Sequence, residues 1–326
     1  MKLGILGTGM IVKDLLTTID KLDIEKLSIL GTIDTKEETE QLATTYGIQE
    51  CYYDYQTMLN SDVDTIYVAL PNFLHYSFAK EALLNDKHVI IEKPITSNYK
   101  ELQELKDLAN QKHLIILEAM NIHYLPAYQS LKSQLDKLGA LKIVSLNYSQ
   151  YSSRYDAFKQ GNILPAFDYK KSGGALMDIN VYNIHAIIGL FGQPKRVNYN
   201  ANIEHNIDTS GILTLDYGSF KAVCIGAKDC KAPIVSSLQG DKANIVVTMP
   251  ANQMRSYVLG DNKGEQQEFK FNEQDHRLLY EFEEFIRVID NLDFDKANQM
   301  LEISSIVSQV MQEARKQAGV VFPSDN

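Results

Sequence analysis

Leu3-Gly4-Ile5-Leu6-Gly7-Thr8-Gly9-Met10-Ile11-Val12 opens the chain as a short apolar strand, a glycine turn, and a helix that carries apolar residues at Ile11, Leu15, Leu16, Ile19 and Leu22. That order suits the pyrophosphate of a dinucleotide. Gly7 can take backbone angles closed to other residues, and Gly9 removes the Cβ that would block an approaching phosphate. The helix N-terminus adds free N–H groups and a partial positive charge. Val12 stands where a third small residue is usual in such turns, which implies a slightly wider helix–strand spacing. Gly7, Thr8, Gly9, Met10 and Ile11 are the first candidates for cofactor contact.

Strand and helix patterns alternate outward from this turn: Leu27 to Ile33 then Lys36 to Tyr46, Thr65 to Leu70 then Leu74 to Asn85, His88 to Ile91 then Asn98 to Lys112, and Leu114 to Glu118. Such alternation predicts a Rossmann-type parallel sheet wound on both faces, over residues 1–120. After Asn121 the strand-like stretches at 141–151, 196–203, 211–217, 220–225, 234–238, 243–248 and 268–271 mostly lack helices between them. They predict one antiparallel sheet in an α+β second domain, 121–326, closed by helices at Asp275 to Asn291 and Phe294 to Gln317. The fold class is therefore α/β with a second, mainly antiparallel domain.

At 326 residues, 44% of them hydrophobic, the chain can bury two cores. A formal charge of -10, with no lysine-rich stripe, argues against nucleic acid or an anionic membrane as partner and for a small, weakly charged substrate. The apolar run after Lys2 is too short for a signal peptide and no segment reads as a membrane span, so a cytoplasmic location is expected. Cys51, Cys224 and Cys230 have no paired metal spacing and suggest neither a disulfide framework nor structural zinc.

In an open parallel sheet, ligands gather outside the carboxyl ends of the strands. Asp34 ends the second strand, where a carboxylate can accept from both hydroxyls of an adenosine ribose and repel a 2′-phosphate. This favours NAD over NADP, the plainer alternative being a helix cap. Leu70-Pro71-Asn72 and His75 follow the strand that starts at Thr65 and suit the nicotinamide side, although Asn72 could equally cap a helix and His75 could be structural. Glu92-Lys93-Pro94 follows the apolar run His88 to Ile91. Pro94 restricts the backbone of Lys93, holding an ammonium at the sheet edge where it could polarise a substrate oxygen; the plainer reading is a solvated surface charge.

Ser172-Gly173-Gly174-Ala175-Leu176-Met177-Asp178 reads as a glycine-permitted close approach leading into a helix. On a 3.6-residue period Asp178, Tyr182 and His185 share one narrow stripe of a helix that is apolar on most of its remaining surface. A buried stripe of that kind must line a cavity or satisfy itself internally as an Asp-Tyr-His network. Asn121 and His123 at the domain junction are further candidate substrate contacts. Tyr148, Tyr151, Arg154, Tyr155 and Tyr169 suit a hydroxyl-rich or aromatic ligand, or equally a packed sheet face.

With these motifs in this order and spacing, the chain resembles the Gfo/Idh/MocA oxidoreductases over essentially its whole length. Tyr182, four residues after Asp178, resembles the glucose-fructose oxidoreductase and dimeric dihydrodiol dehydrogenase branch, where inositol dehydrogenase-like members carry histidine. His185 stands where many members carry an acidic residue. The resemblance implies NAD or NADP as cofactor, an open second sheet used as a homodimer or dimer-of-dimers face, and hydride exchange with the carbinol carbon of a sugar, polyol or dihydrodiol. Lys93 and Tyr182 would be the catalytic pair, Asp178 and His185 would orient the substrate, and Tyr151 would contact it, without a metal. Two alternatives remain on the same fold: a non-catalytic dinucleotide- and sugar-sensing regulator, and an enzyme that reoxidises a tightly held cofactor within each cycle.

Overall fold

The computed structural model describes residues 1–271 and 276–325. Its chain divides into two compact units, Met1–Ala119 with Leu278–Ser305, and Met120–Arg277 with Ile306–Asn326. The first division falls beside the expected boundary at 120. The second unit differs from the expected 121–326, because the segment Leu278–Ser305 packs with the first unit.

In the first unit, β1 (Lys2–Leu6), α1 (Met10–Leu16), β2 (Lys26–Leu30), α2 (Lys36–Tyr46), β3 (Glu50–Tyr52), α3 (Tyr55–Leu59), β4 (Thr65–Val68), α4 (His75–Leu84), β5 (His88–Glu92), α5 (Tyr99–Lys112) and β6 (Ile116–Ala119) follow in order. The six strands lie in the order β3-β2-β1-β4-β5-β6, with every pairing parallel. The order reverses between β1 and β4, and the carboxyl ends of those neighbours define the crevice where such sheets bind ligands. Central strands are apolar on both faces: Leu3, Ile5, Ile66, Val68, Ile90 and Ile91 are fully buried, and so is Val12, the large residue in the third small position of the turn. The edge strand β3, three residues long, escaped the sequence reading because it is too short to show a period.

The second unit holds α6 (Pro126–Ser133), β7 (Leu141–Ser149), α7 (Tyr155–Lys159), α8 (Val181–Phe191), β8 (Arg196–Glu204), β9 (Ile207–Asp216), β10 (Lys221–Ala227), β11 (Ser236–Gly240), β12 (Ala243–Val247), β13 (Ser256–Asp261) and β14 (Gln266–Lys270). The strands form one sheet in the order β14-β13-β12-β11-β7-β10-β9-β8. One pairing departs from the expected antiparallel sheet: β10 runs parallel to β7. The chain leaves β7 through a long crossover containing α8, and two hairpins then return β10 in the direction of β7. Strand β13 was not foreseen.

Two helices, α9 (Leu279–Asp290) and α10 (Phe294–Gln317), end the chain. The expected start of the first, Asp275, lies outside the described residues. Tyr169–Phe191 is long and apolar enough to cross a membrane, contrary to the sequence expectation, but most of its apolar stretch is buried inside the protein, as in a core helix.

Candidate active site

In the first unit, Gly7 adopts φ +103°, and its N–H donates to the Leu30 carbonyl at 2.9 Å, tying the turn to the end of β2. A Cβ on Gly9 would meet nothing within 4 Å, so the backbone there borders open space in front of α1. No side chain caps α1 and no acidic residue sits in its first turn, which leaves the positive helix end available to an anion. Thr8 donates to Glu38 at 2.8 Å, and Glu38 also pairs with Lys13. The lysine first, and then the threonine, hold the Glu38 carboxyl below its ordinary value.

Three exposed apolar side chains follow separate strands at this carboxyl edge, Met10 at the start of α1 at 72%, Ile33 at 74% and Phe73 at 41%. Apolar groups so placed suit the faces of flat rings. Asp34 is exposed in the turn Ile33–Thr35, whose cap is Thr32 rather than Asp34. The glycine turn, the uncapped helix end and these exposed apolar groups fit a dinucleotide.

Glu92 is buried and accepts from the Tyr67 hydroxyl and from the Lys93 N–H, at 3.2 Å for the latter. Tyr67 is in turn fixed edge-on against Phe282, 5.2 Å between centroids. Glu92 therefore braces the turn that presents Lys93, which is part-exposed ahead of a cis peptide to Pro94. His75 is fully buried, its Nδ1 2.9 Å from the Pro94 carbonyl and its Nε2 2.7 Å from that of Leu70. It thus staples the loop after β4 to the loop after β5. Burial holds this imidazole below its ordinary value, against the opposite pull of the two carbonyls, and the neutral ring donates to one of them at a time. Its position is that of a brace behind the edge.

In the second unit, the expected close approach is observed. A Cβ on Gly173 would stand 2.6 Å from the Pro165 carbonyl oxygen, and one on Gly174, at φ +105°, would stand 2.1 Å from Asp208 Oδ1. Fully buried Asp208 accepts from the Leu176 N–H at 2.7 Å and from the Tyr199 hydroxyl at 2.8 Å, fixing the start of the following helix. Burial pushes the Asp208 carboxyl up, while those two donors pull it down.

The segment Leu176–Asn180 is a π-helical turn before α8, so the spacing of Asp178 from the α8 residues departs from a regular 3.6-residue period. An inserted residue shifts the helical phase by about 100°, one residue's share of a 3.6-residue turn. Asp178 and Tyr182 stay part-exposed, whereas His185 turns into the core, with its Nδ1 3.1 Å from Nε2 of buried His123. Asp178 pairs with Lys228, at 2.7 Å.

The Tyr182 ring packs against Tyr148, 6.1 Å between centroids. Buried Asn121 donates to the Asn252 carbonyl at 2.8 Å. Tyr151 is exposed, donates to Asp156 and accepts from Lys159. Tyr155 donates to Glu204 at 2.6 Å, a contact that pushes its phenol up to about 12. Sequence reading missed Lys228 and Asp208. The signal for Lys228 was present, a lysine directly after an apolar strand, as at Lys93.

The family profile described as "Oxidoreductase family, NAD-binding Rossmann fold" matches residues 1–120. Over its whole length the chain is 32% identical to scyllo-inositol 2-dehydrogenase (NADP(+)) IolU of Bacillus subtilis, covering 99% of that protein. It is 23% identical to the trans-1,2-dihydrobenzene-1,2-diol dehydrogenase of Oryctolagus cuniculus, over 98% of this chain and 99% of that protein. Among solved structures, KijD10, a 3-ketoreductase from Actinomadura kijaniata in complex with NADP and TDP-benzene, superposes with a TM-score of 0.84 at 19% identity, over 97% of each chain, and shares the fold. The chain belongs to the Gfo/Idh/MocA family and is an NAD(P)-dependent oxidoreductase.

Proposed function

We propose that the protein catalyses reversible oxidation of a carbinol carbon in a polyol, sugar or dihydrodiol, with Lys93 and Tyr182 as the catalytic pair. The observation that carries this reading is the likeness along the full chain to a scyllo-inositol dehydrogenase, together with Lys93 part-exposed at a braced strand end. When bound, the nicotinamide supplies the hydride acceptor, so that the carbinol becomes a carbonyl as the dinucleotide is reduced. Gly7, Gly9, Met10 and Ile11 would hold its pyrophosphate, and Leu70, Pro71 and Asn72 would face its nicotinamide end.

Lys93 holds the reacting oxygen by its positive charge, and Tyr182 takes the hydroxyl proton. Asp178 accepts hydrogen bonds from neighbouring substrate hydroxyls. The exposed Asp34 carboxylate favours NAD by repelling a 2′-phosphate, whereas the Bacillus relative is named for NADP(+), so coenzyme choice is a property of each chain. The same reading expects a homodimer through the second sheet, which light scattering checks.

The test is a panel of cyclic polyols, aldoses and dihydrodiols with either dinucleotide, monitored at the reduced-nicotinamide absorbance band. Turnover that Tyr182→Phe lowers by about 10²–10⁴-fold while dinucleotide binding persists supports the reading. Full activity in both Tyr182→Phe and Lys93→Met removes the pair. Ligand binding without turnover would favour the regulator.

A further inference from the structure

The residue after β10 is Lys228, and its side chain is only 3% exposed. Its ammonium lies 2.7 Å from Asp178 Oδ2, donates to the Ala166 carbonyl at 2.6 Å, and stands 4.2 Å from the centroid of the Phe167 ring. Its backbone is fixed as well, the N–H donating to the Thr209 carbonyl at 2.9 Å and the carbonyl accepting from the Ser152 N–H at 2.8 Å. A carboxylate, a carbonyl and an aromatic face together offset the cost of burying the charge.

The pair is lopsided. Asp178 is 37% exposed, so the lysine stands inside and the carboxylate stands outside. A stabilising surface ion pair has no need of a buried lysine, and an apolar chain of similar length could fill the same space without a desolvation cost. What a buried ammonium adds is a fixed orientation and a paired charge for the carboxylate in front of it. That carboxylate sits in the π-helical turn, four residues before Tyr182, on a segment whose start Asp208 already anchors.

We infer that Lys228 is a positioning residue: it holds the Asp178 carboxylate in one orientation beside Tyr182, so that Asp178 selects substrates bearing a second hydroxyl next to the reacting carbon. The inference rests on the reading above, that Asp178 faces the substrate. Lys228 acts through Asp178 and touches neither substrate nor coenzyme.

Lys228→Met, Lys228→Arg, Asp178→Asn and the double variant Lys228→Met/Asp178→Asn test this with scyllo-inositol as the probe, alongside a thermal melt of each. Lys228→Met is expected to lower kcat/KM for scyllo-inositol by about 100-fold, as a displaced positioning group does, with the KM for the dinucleotide unchanged. The double variant should be no slower than Asp178→Asn alone, because the lysine works only through that carboxylate. Lys228→Arg should recover part of the loss.

Lys228→Met as active as the wild type, or a double variant whose losses multiply, overturns the inference while leaving the wild-type reaction in place. Should Lys228→Met fail to fold, Asp178→Asn against the double variant, in which both charges are removed, decides the same point. A wild-type protein that turns over no member of the polyol panel overturns the reading beneath, and the positioning role with it.

Discussion

Lys93 and Lys228 each follow directly on a strand, one after β5 of the parallel sheet and the other after β10 of the mixed sheet, yet the first is part-exposed and the second is buried. Around Lys93 the surrounding groups are spent on the backbone: Glu92 takes its N–H, Tyr67 fixes Glu92, and His75 holds the Pro94 carbonyl. Its side chain is part-exposed. Around Lys228 the backbone is fixed too, and the ammonium itself is held by Asp178, Ala166 and Phe167. Its charge points inward and acts on another residue. Two lysines at strand ends thus differ in burial, one part-exposed and the other 3% exposed.

The sharpest way to break this contrast is to remove the presented charge. Lys93→Met should lower kcat by about 10³-fold, roughly 4 kcal/mol of barrier, while the melting curve and dinucleotide binding stay near wild type. A large loss of stability in place of activity would make Lys93 structural. Gly174→Ala comes next, because the new methyl would collide with Asp208 Oδ1 at a left-handed backbone position. Denaturant unfolding should show a loss of about 2–5 kcal/mol, and a wild-type midpoint would deny that the segment carrying Asp178 is anchored there.

A smaller effect separates brace from ligand contact at His75. Its folded imidazole lies below the ordinary 6.5, with Lys93 disfavouring and Glu118 favouring the charged form, so the unfolded chain binds the proton more readily. Stability is therefore complete above 6.5 and falls as pH drops from there towards the folded value, by up to about 1.4 kcal/mol for each pH unit in that window. His75→Gln should flatten this slope in pH-dependent melts, the remainder coming in part from His88, which burial also holds low. An unchanged slope would mean that His75 is not the titrating brace. Smallest of all, Asp34→Ser should shift the NADP-to-NAD ratio of kcat/KM upward by about fivefold, the worth of about 1 kcal/mol of repulsion between unit charges in water. A ratio that stays put would leave Asp34 without a part in coenzyme choice.

The contrast also explains which features the sequence disclosed. The first unit was legible because its cues are local: Gly7 and Gly9 stand two residues apart, Glu92-Lys93-Pro94 is contiguous, and buried parallel strands read as unbroken apolar runs. The glycine approach at 173–174 was legible for the same reason. The lysine pairing was not, since Asp178 and Lys228 lie far apart in the chain and only the sheet brings them together. The π-helical turn that carries Asp178 was not legible either, because periodicity counts residues and cannot see an extra one accommodated in the helix. His185 lies three residues after Tyr182 within regular α8, and its ring packs beside His123 in the core, a tertiary contact that no helical period discloses.

The most direct measurement follows the hydrogen itself. scyllo-Inositol bearing deuterium on its ring carbons is incubated with the wild-type protein and oxidised dinucleotide, and the reduced product is examined by NMR. The account predicts deuterium at C4 of the nicotinamide ring, and a marked loss of that product with Lys93→Met. Reduced dinucleotide carrying only solvent hydrogen at C4, or none formed from any polyol of the panel, would contradict it.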